Sequence, residues 1–242
     1  MILCIDCGNT RIKWGLIHED AEHAPRWLAQ GALATADAAH LGDTLPAGLK
    51  PQRIIGCNVS GEAVAAAVAA SLRQPVQWNA AHTTQAGVRN GYEVPEQLGA
   101  DRWAALIGAR ALHTGPCLVV NAGTATTIDH LDASGRFCGG LILPGLSLMH
   151  RALARNTAQL PHRPGLYQAL PRNTTDAIAS GALHATLGAM ERMFAPLAED
   201  PRALCLISGG AAQDLIAHSS LHGMLVENLV LEGLARIARN NP

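Results

Sequence analysis

The chain has 242 residues, 48% of them hydrophobic and 15% charged, with a formal net charge of −1 at pH 7. That length can bury a substantial core, as one large domain or two smaller ones. The near-neutral charge argues against the clustered basic surface that nucleic-acid binding requires. No apolar run reaches the roughly 18 residues needed to cross a bilayer. The N-terminal apolar run stops at Asp6 and follows no basic leader, unlike a signal peptide. A cytoplasmic protein with no membrane or nucleic-acid partner is therefore expected.

Met1–Ile5 is an apolar run, Asp6-Cys7-Gly8-Asn9-Thr10-Arg11 is polar, and Ile12–Ile17 alternates. This pattern predicts strand, tight turn and strand, with Gly8-Asn9 suited to a left-handed corner. Asp6 ends the first strand, Thr10 adds a hydroxyl, and Arg11 and Lys13 follow on alternate positions. A turn rich in N–H groups, flanked by cations and an acid, can hold a phosphate and its Mg²⁺; the bland alternative is a plain hairpin. Residues 20–50 carry weak periodicity. Arg53–Asn58 reads as a buried strand, Ser60 as the cap of a helix beginning near Glu62, and Pro75–Trp78 as another strand. Such alternation suggests a layered α/β fold. Residues 86–97 form a polar loop bearing Tyr92, and Leu98–Arg110 follows as a helix with Asp101 in its first turn. An acid there is favoured by the helix dipole alone.

Cys117–Asn121 then repeats the opening, an apolar strand ending in a polar residue before Ala122-Gly123-Thr124-Ala125. The two Gly turns lie nearly half a chain length apart. That spacing predicts a duplicated domain, 1–115 and 116–242, with the turns facing each other across a cleft. A third strand over Arg136–Leu143 stops at Pro144-Gly145, and Leu146–Ala154 reads as helical. A loop with Pro161, Pro164 and Pro171 leads to a long helix, capped by Thr174 or Thr175 and reaching about Leu197. Gly181 and Gly188 inside it each cost roughly 1 kcal/mol against Ala, so close packing or backbone approach is expected there. Ala203–Ile207 is a buried strand before the Gly turn Ser208–Ala211, and Glu227–Arg239 is an amphipathic helix.

Three Gly-rich turns thus follow three apolar strands, where anions bind in α/β folds. No P-loop, dinucleotide fingerprint or Gly-x-Ser-x-Gly elbow is present. What remains is a nucleotide held between two halves, with carboxylates available for metal and base work. Cys4-x-x-Cys7 lacks a second ligand pair and reads as buried thiols; His218 and His222 read as a helix surface.

Five ordered motifs carry a family resemblance: Asp6-x-Gly8-Asn9-Thr10, Gly99-Ala100-Asp101-Arg102-Trp103, Asn121 through Asp129, Gly139-Gly140-x-Ile142-x-Pro144-Gly145, and Asn173-Thr174. In order and spacing the chain resembles the type III pantothenate kinases, a family that includes Bvg accessory factor proteins. The resemblance implies an α/β fold of two ribonuclease-H-like halves, of the acetate-and-sugar-kinase/Hsc70/actin superfamily, with the active site in the cleft between them and a homodimeric assembly. It also implies phosphorylation of pantothenate by ATP to 4′-phosphopantothenate, the first step of coenzyme A biosynthesis. Asp6, Cys7, Gly8, Asn9, Thr10, Arg11, Ile12 and Lys13 correspond to the first phosphate loop, with Asp6 organising Mg²⁺ through water. Thr124 corresponds to the second phosphate loop and Asp101 to the general base. Gly99, Ala100 and Arg102 surround that base, and Tyr92 and Thr174 match further substrate contacts, Thr174 from a partner subunit. Arg102 is also suited to the substrate carboxylate. Many members place Asp where this chain has Asn121, an acid that helps bind an activating K⁺ or NH₄⁺, so a weaker or relocated cation site is expected. Asp129 is either a metal or phosphate contact or a structural acid. The competing reading is an accessory, regulatory protein of the same fold with altered catalysis.

Overall fold

A computed structural model describes residues 1–18, 27–156 and 163–240, so Pro161 lies outside the described residues. The apolar opening forms β1 (Ile2–Cys7), buried at every position. It is the middle of a five-stranded sheet with β2 (Arg11–Ile17), β3 (Trp27–Ala34), β4 (Arg53–Asn58) and β5 (Gln77–Trp78), in the order β3-β2-β1-β4-β5. β1 runs antiparallel to β2 and parallel to β4. A strand covered on both faces needs an unbroken apolar run, which is what β1 has. One face packs Leu3, Ile5, Ile12 and Trp14 against Leu41 of a 3₁₀ segment (Thr35–Thr44) and Val68 of α1 (Glu62–Leu72). A short hairpin, β6 (Thr84–Gln85) and β7 (Val88–Arg89), precedes α2 (Ala100–Leu112). Arg102 through Ala109 of α2 are all buried, so this helix is covered all round rather than amphipathic.

The second sheet repeats the first. β8 (Cys117–Ala122), β9 (Ala125–Leu131), β10 (Phe137–Pro144), β11 (Leu204–Ser208) and β12 (Gly223–Leu225) stand in the order β10-β9-β8-β11-β12. β8 is antiparallel to β9 and parallel to β11, as β1 is to β2 and β4. Helices α3 (Leu146–Asn156), α4 (Thr174–Phe194) and α5 (Ala212–His218) complete this half. Leu118, Val120 and Ile128 pack against Leu183, Leu187 and Met190 of α4.

By contacts the chain divides into two compact units. The first holds Met1–Thr114, Ala133–Cys138 and the segment from Asn228 on; the second holds Gly115–Asp132 and Gly139–Glu227. The longest segment of the first unit ends at Thr114, and the C-terminal helix α6 (Leu229–Asn240) belongs with that unit. Its apolar face lies on α2, where Gly108 and Gly233 let the backbones meet: a Cβ on Gly233 would strike the Ala104 carbonyl, and one on Gly108 the Leu229 carbonyl. Trp27 Nε1 donates to Glu232 Oε1 at 2.9 Å and Arg53 Nη1 to the Ala238 carbonyl at 3.0 Å, fixing the helix to the first sheet.

Three local expectations change. Gly61, not Ser60, is the N-cap of α1, because the Ser60 hydroxyl instead donates to the Cys7 carbonyl at 3.1 Å. Asn173 rather than Thr174 or Thr175 caps α4, its side chain accepting from the Asp176 amide at 2.9 Å. Gly181 and Gly188 have no close neighbour, so tight packing does not explain them; the close-packed helical glycines are Gly108 and Gly233. Among the described residues no helix is long and apolar enough to cross a membrane.

Gly233→Ala is expected to lower unfolding stability by about 1–3 kcal/mol, the range for overpacking a tight contact. Gly181→Ala is expected to be neutral or stabilising, and chemical denaturation of the two variants checks the contrast.

Candidate active site

The turn after β1 sits between the cross-strand pair Cys7↔Ile12, with Gly8, Asn9, Thr10 and Arg11 in between. Gly8 N donates to the Arg11 carbonyl at 3.1 Å. The expected left-handed corner does not form, since neither Gly8 nor Asn9 has a positive φ. A turn spanning four residues can reverse the chain without that conformation, which two-residue corners require. Asn9, Thr10 and Arg11 are exposed, Ile12 is buried, and Lys13 faces Asp6 across the ladder.

Asp6 is only 8% exposed. Burial raises its pKa from 3.8 to about 6; Lys13 opposes this, Asp101 adds to it, and a hydrogen bond from the Cys57 thiol at 3.5 Å lowers it again. Cys57 was not singled out by sequence, because its thiol approaches Asp6 only through the parallel pairing of β1 with β4, Asp6↔Cys57. Cys4, Cys7 and Cys57 are buried free thiols, and burial pushes Cys7 up to about 12. Cys138 differs in being exposed.

Asp101 stands in the first turn of α2, where its Oδ1 accepts the Arg102 amide at 2.8 Å. Gly99 is the N-cap, and a Cβ there would lie 2.7 Å from that same Oδ1, so glycine leaves the carboxylate room. Ala100 opens the helix. Arg102 is 4% exposed; its Nη1 donates to the Tyr92 hydroxyl at 2.8 Å, and its guanidinium lies 5.6 Å from the Tyr92 ring and 5.7 Å from that of Phe137. The Tyr92 amide bonds Asn90 Oδ1 at 3.0 Å, and Asn90 Nδ2 bonds the Pro95 carbonyl at 3.1 Å, which fixes the loop. Tyr92 and Arg102, ten residues apart, thus form one polar and aromatic unit beside Asp101.

The second turn lies between Ala122↔Thr126, with Gly123, Thr124 and Ala125 in between, one residue fewer than the first. Gly123 N donates to the Ala125 carbonyl at 3.0 Å, and Gly145 N to that of Thr124 at 2.9 Å. Asn121 is half-buried opposite Thr127, and Asp129 lies two residues further along the same sheet face, fully buried. The third Gly turn packs beneath it: Gly209 has φ +103°, a Cβ there would come 2.5 Å from the Ala122 carbonyl, and Ala211 N bonds that carbonyl at 3.1 Å. Thr174 begins α4 and lines a shallow apolar groove with Met149, Leu153, Ala177 and Ile178. Among the described residues no group of three or more His, Cys, Asp or Glu side chains is placed to hold a metal.

Two sheets of one strand order, each with a Gly turn after its first strand, make a duplicated α/β fold of two ribonuclease-H-like halves. Solved structures agree in fold. A protein from Campylobacter jejuni described as a Baf family transcriptional activator superposes with TM-score 0.63 at 21% identity, covering 99% of this chain and 98% of its own. One from Sinorhizobium meliloti, described as a 2-dehydro-3-deoxygalactonokinase, gives 0.60 at 15% identity, covering 99% of each chain. In sequence, the type III pantothenate kinase family model matches residues 2–196. The type III pantothenate kinase of Aromatoleum aromaticum is 56% identical over 100% of this chain and 99% of its own, and that of Azoarcus sp. 50% identical over 98% and 90%. The chain belongs to the type III pantothenate kinase family.

The raised pKa of Asp6 has a testable sign. Its carboxyl ionises near 3.8 when unfolded and about 6 when folded, so burial destabilises the fold only where the unfolded group is ionised. In metal-free buffer, Asp6→Asn is expected to exceed wild type in unfolding free energy by up to about 3 kcal/mol at neutral pH. That advantage should be absent below pH 3.8 and grow as pH rises from 3.8 to about 6, as denaturant titrations across pH will measure.

Proposed function

We propose that this chain is a kinase that transfers the γ-phosphoryl group of ATP to the primary hydroxyl of pantothenate, the first step of coenzyme A biosynthesis. Family membership supports the activity. The observation that carries the mechanism is a buried carboxylate, Asp6, just ahead of the Gly8–Arg11 turn, with Asp101 at the start of α2 among the charges that act on it.

In phosphoryl transfer the protein mainly positions groups and neutralises charge. The turn Gly8–Arg11 is assigned to the phosphates, with Arg11 and Lys13 as cations, and Thr124 of the second turn is assigned a phosphate contact. Asp6 fits a Mg²⁺ site, since a desolvated carboxylate gains most from a cation and Mg²⁺ needs only one or two carboxylates beside phosphates and water. Bound there, Mg²⁺ would neutralise charge on the phosphates. Asp101 accepts the hydroxyl proton of pantothenate, held within reach by the constraint that Gly99 and the Arg102 amide place on its carboxylate. Arg102, buried and braced by Tyr92, is suited to the substrate carboxylate.

Asn121 offers a carbonyl oxygen without charge, which fits a monovalent cation such as K⁺ or NH₄⁺ only weakly. Asp129, buried on the same sheet face, is assigned a structural role. A homodimer is supported by the exposed apolar side chains Leu141, Ile142, Leu148, Leu153, Leu166 and Leu170, which lie within one stretch of the second unit that leads to Thr174. A cytoplasmic location suits the reaction.

Asp101→Asn is expected to lower kcat by about 10²–10⁴-fold, the usual loss on removing a general base. ADP release with ATP, Mg²⁺ and pantothenate measures it, and wild-type turnover in the variant would contradict the assignment. Asn121→Asp is expected to lower the K⁺ concentration for half-maximal rate by roughly tenfold, because added ligand charge tightens oxygen-donor sites; the same assay over a K⁺ series checks this.

A further inference from the structure

The first phosphate turn is held from outside by a residue that no sequence motif marks. Arg11 pairs with Ala34 at the end of β3, so the next residue, Thr35, stands beside the turn. Its hydroxyl donates to the Gly8 carbonyl at 2.6 Å, and its amide donates to the Thr10 carbonyl at 3.1 Å. The Gly8 amide is already committed to Arg11. The bonds to Gly8 and Thr10 therefore fix the Gly8–Asn9 and Thr10–Arg11 peptide planes on either side of the Asn9–Thr10 peptide, and with them the directions of the Asn9 and Arg11 amides. On the other side, Val59 N and the Ser60 hydroxyl both donate to the Cys7 carbonyl at 3.1 Å.

The second unit shows the same device with different chemistry. Gly145 also directly follows the third strand of its sheet, and its amide also donates to a turn carbonyl, that of Thr124, at 2.9 Å. A Cβ on Gly145 would strike the Gly123 carbonyl and lie 2.7 Å from that of Thr124, so this clamp works through backbone alone. The shorter second turn leaves no space for a side chain; the longer first turn leaves room for one, and Thr35 fills it with a hydroxyl.

We propose that Thr35 is a positioning residue for nucleotide phosphate, its hydroxyl holding the Gly8–Arg11 turn in the conformation that binds. This rests on the phosphate role assigned to that turn. One ordinary hydrogen bond lost from the loop, with its partner carbonyl left to water, corresponds to an affinity loss of roughly five- to tenfold.

The test is calorimetric titration of wild type, Thr35→Val and Thr35→Ser with ADP and Mg²⁺, alongside KM for ATP and for pantothenate. Thr35→Val keeps shape and the amide bond to Thr10. It is expected to weaken ADP binding and raise KM for ATP by about five- to tenfold, with KM for pantothenate unchanged. Thr35→Ser, which keeps the hydroxyl, is expected to restore wild-type binding to within about twofold. Thr35→Ala gives the same reading if the valine variant does not fold. Wild-type ADP affinity in Thr35→Val, equal loss for both substrates, or failure of serine to rescue would each overturn the proposal. Wild-type protein that binds ADP without phosphorylating pantothenate would overturn the proposed function and leave the ADP comparison standing.

Discussion

A carboxylate withdrawn from water at the end of a fully buried strand governs the first unit. Asp6 is destabilising where it sits, since burial favours its neutral form and Asp101 adds to that preference. Lys13 across the ladder and the Cys57 thiol offset part of the cost. The remainder is stabilisation that a cation can restore, which is what the proposed Mg²⁺ role of Asp6 draws on. Keeping the acid buried requires the continuous apolar run of β1, cover from α6 on α2, and glycines at 108 and 233 so that those helices can approach.

Duplication supplies a second copy of the same scaffold, and the copies have diverged where chemistry is concentrated. Both sheets share one strand order, and both first strands carry a polar residue one position before their end, Asp6 and Asn121, ahead of a Gly turn. The first turn has an acid, two cations and a hydroxyl clamp. The second is one residue shorter, replaces the acid by Asn121, and is clamped by backbone alone at Gly145. The charged half of the proposed phosphate site therefore lies in the first unit, as does the proposed base.

Much of this was legible in the sequence for a simple reason. Unbroken apolar runs such as Ile2–Ile5 and Leu118–Val120 are short enough to be strands and too apolar to be loops, and Gly turns follow them. Asp101 in a first helical turn and the echo between the two Gly turns were likewise visible. What stayed hidden depends on contacts between distant segments. The bond of Thr35 to Gly8 follows from strand pairing, and the approach of Cys57 to Asp6 from a parallel neighbour. The return of α6 to the first unit depends on two glycines 125 residues apart in sequence. The corner at Gly8-Asn9 misled because composition allows a left-handed turn without requiring one. The cap of α4 misled because Asn173, Thr174 and Thr175 are all good caps and only geometry selects among them.

The central claim is that the first unit directs the phosphoryl group of ATP to an alcohol oxygen deprotonated by Asp101. Phosphorus-31 spectroscopy of ATP, Mg²⁺, K⁺ and pantothenate with the wild-type protein tests it most directly. The account expects one new phosphomonoester signal, coupled to the protons of the pantothenate primary alcohol carbon, growing in step with ADP. Inorganic phosphate appearing with ADP in its place, or ATP left unconsumed, would contradict it.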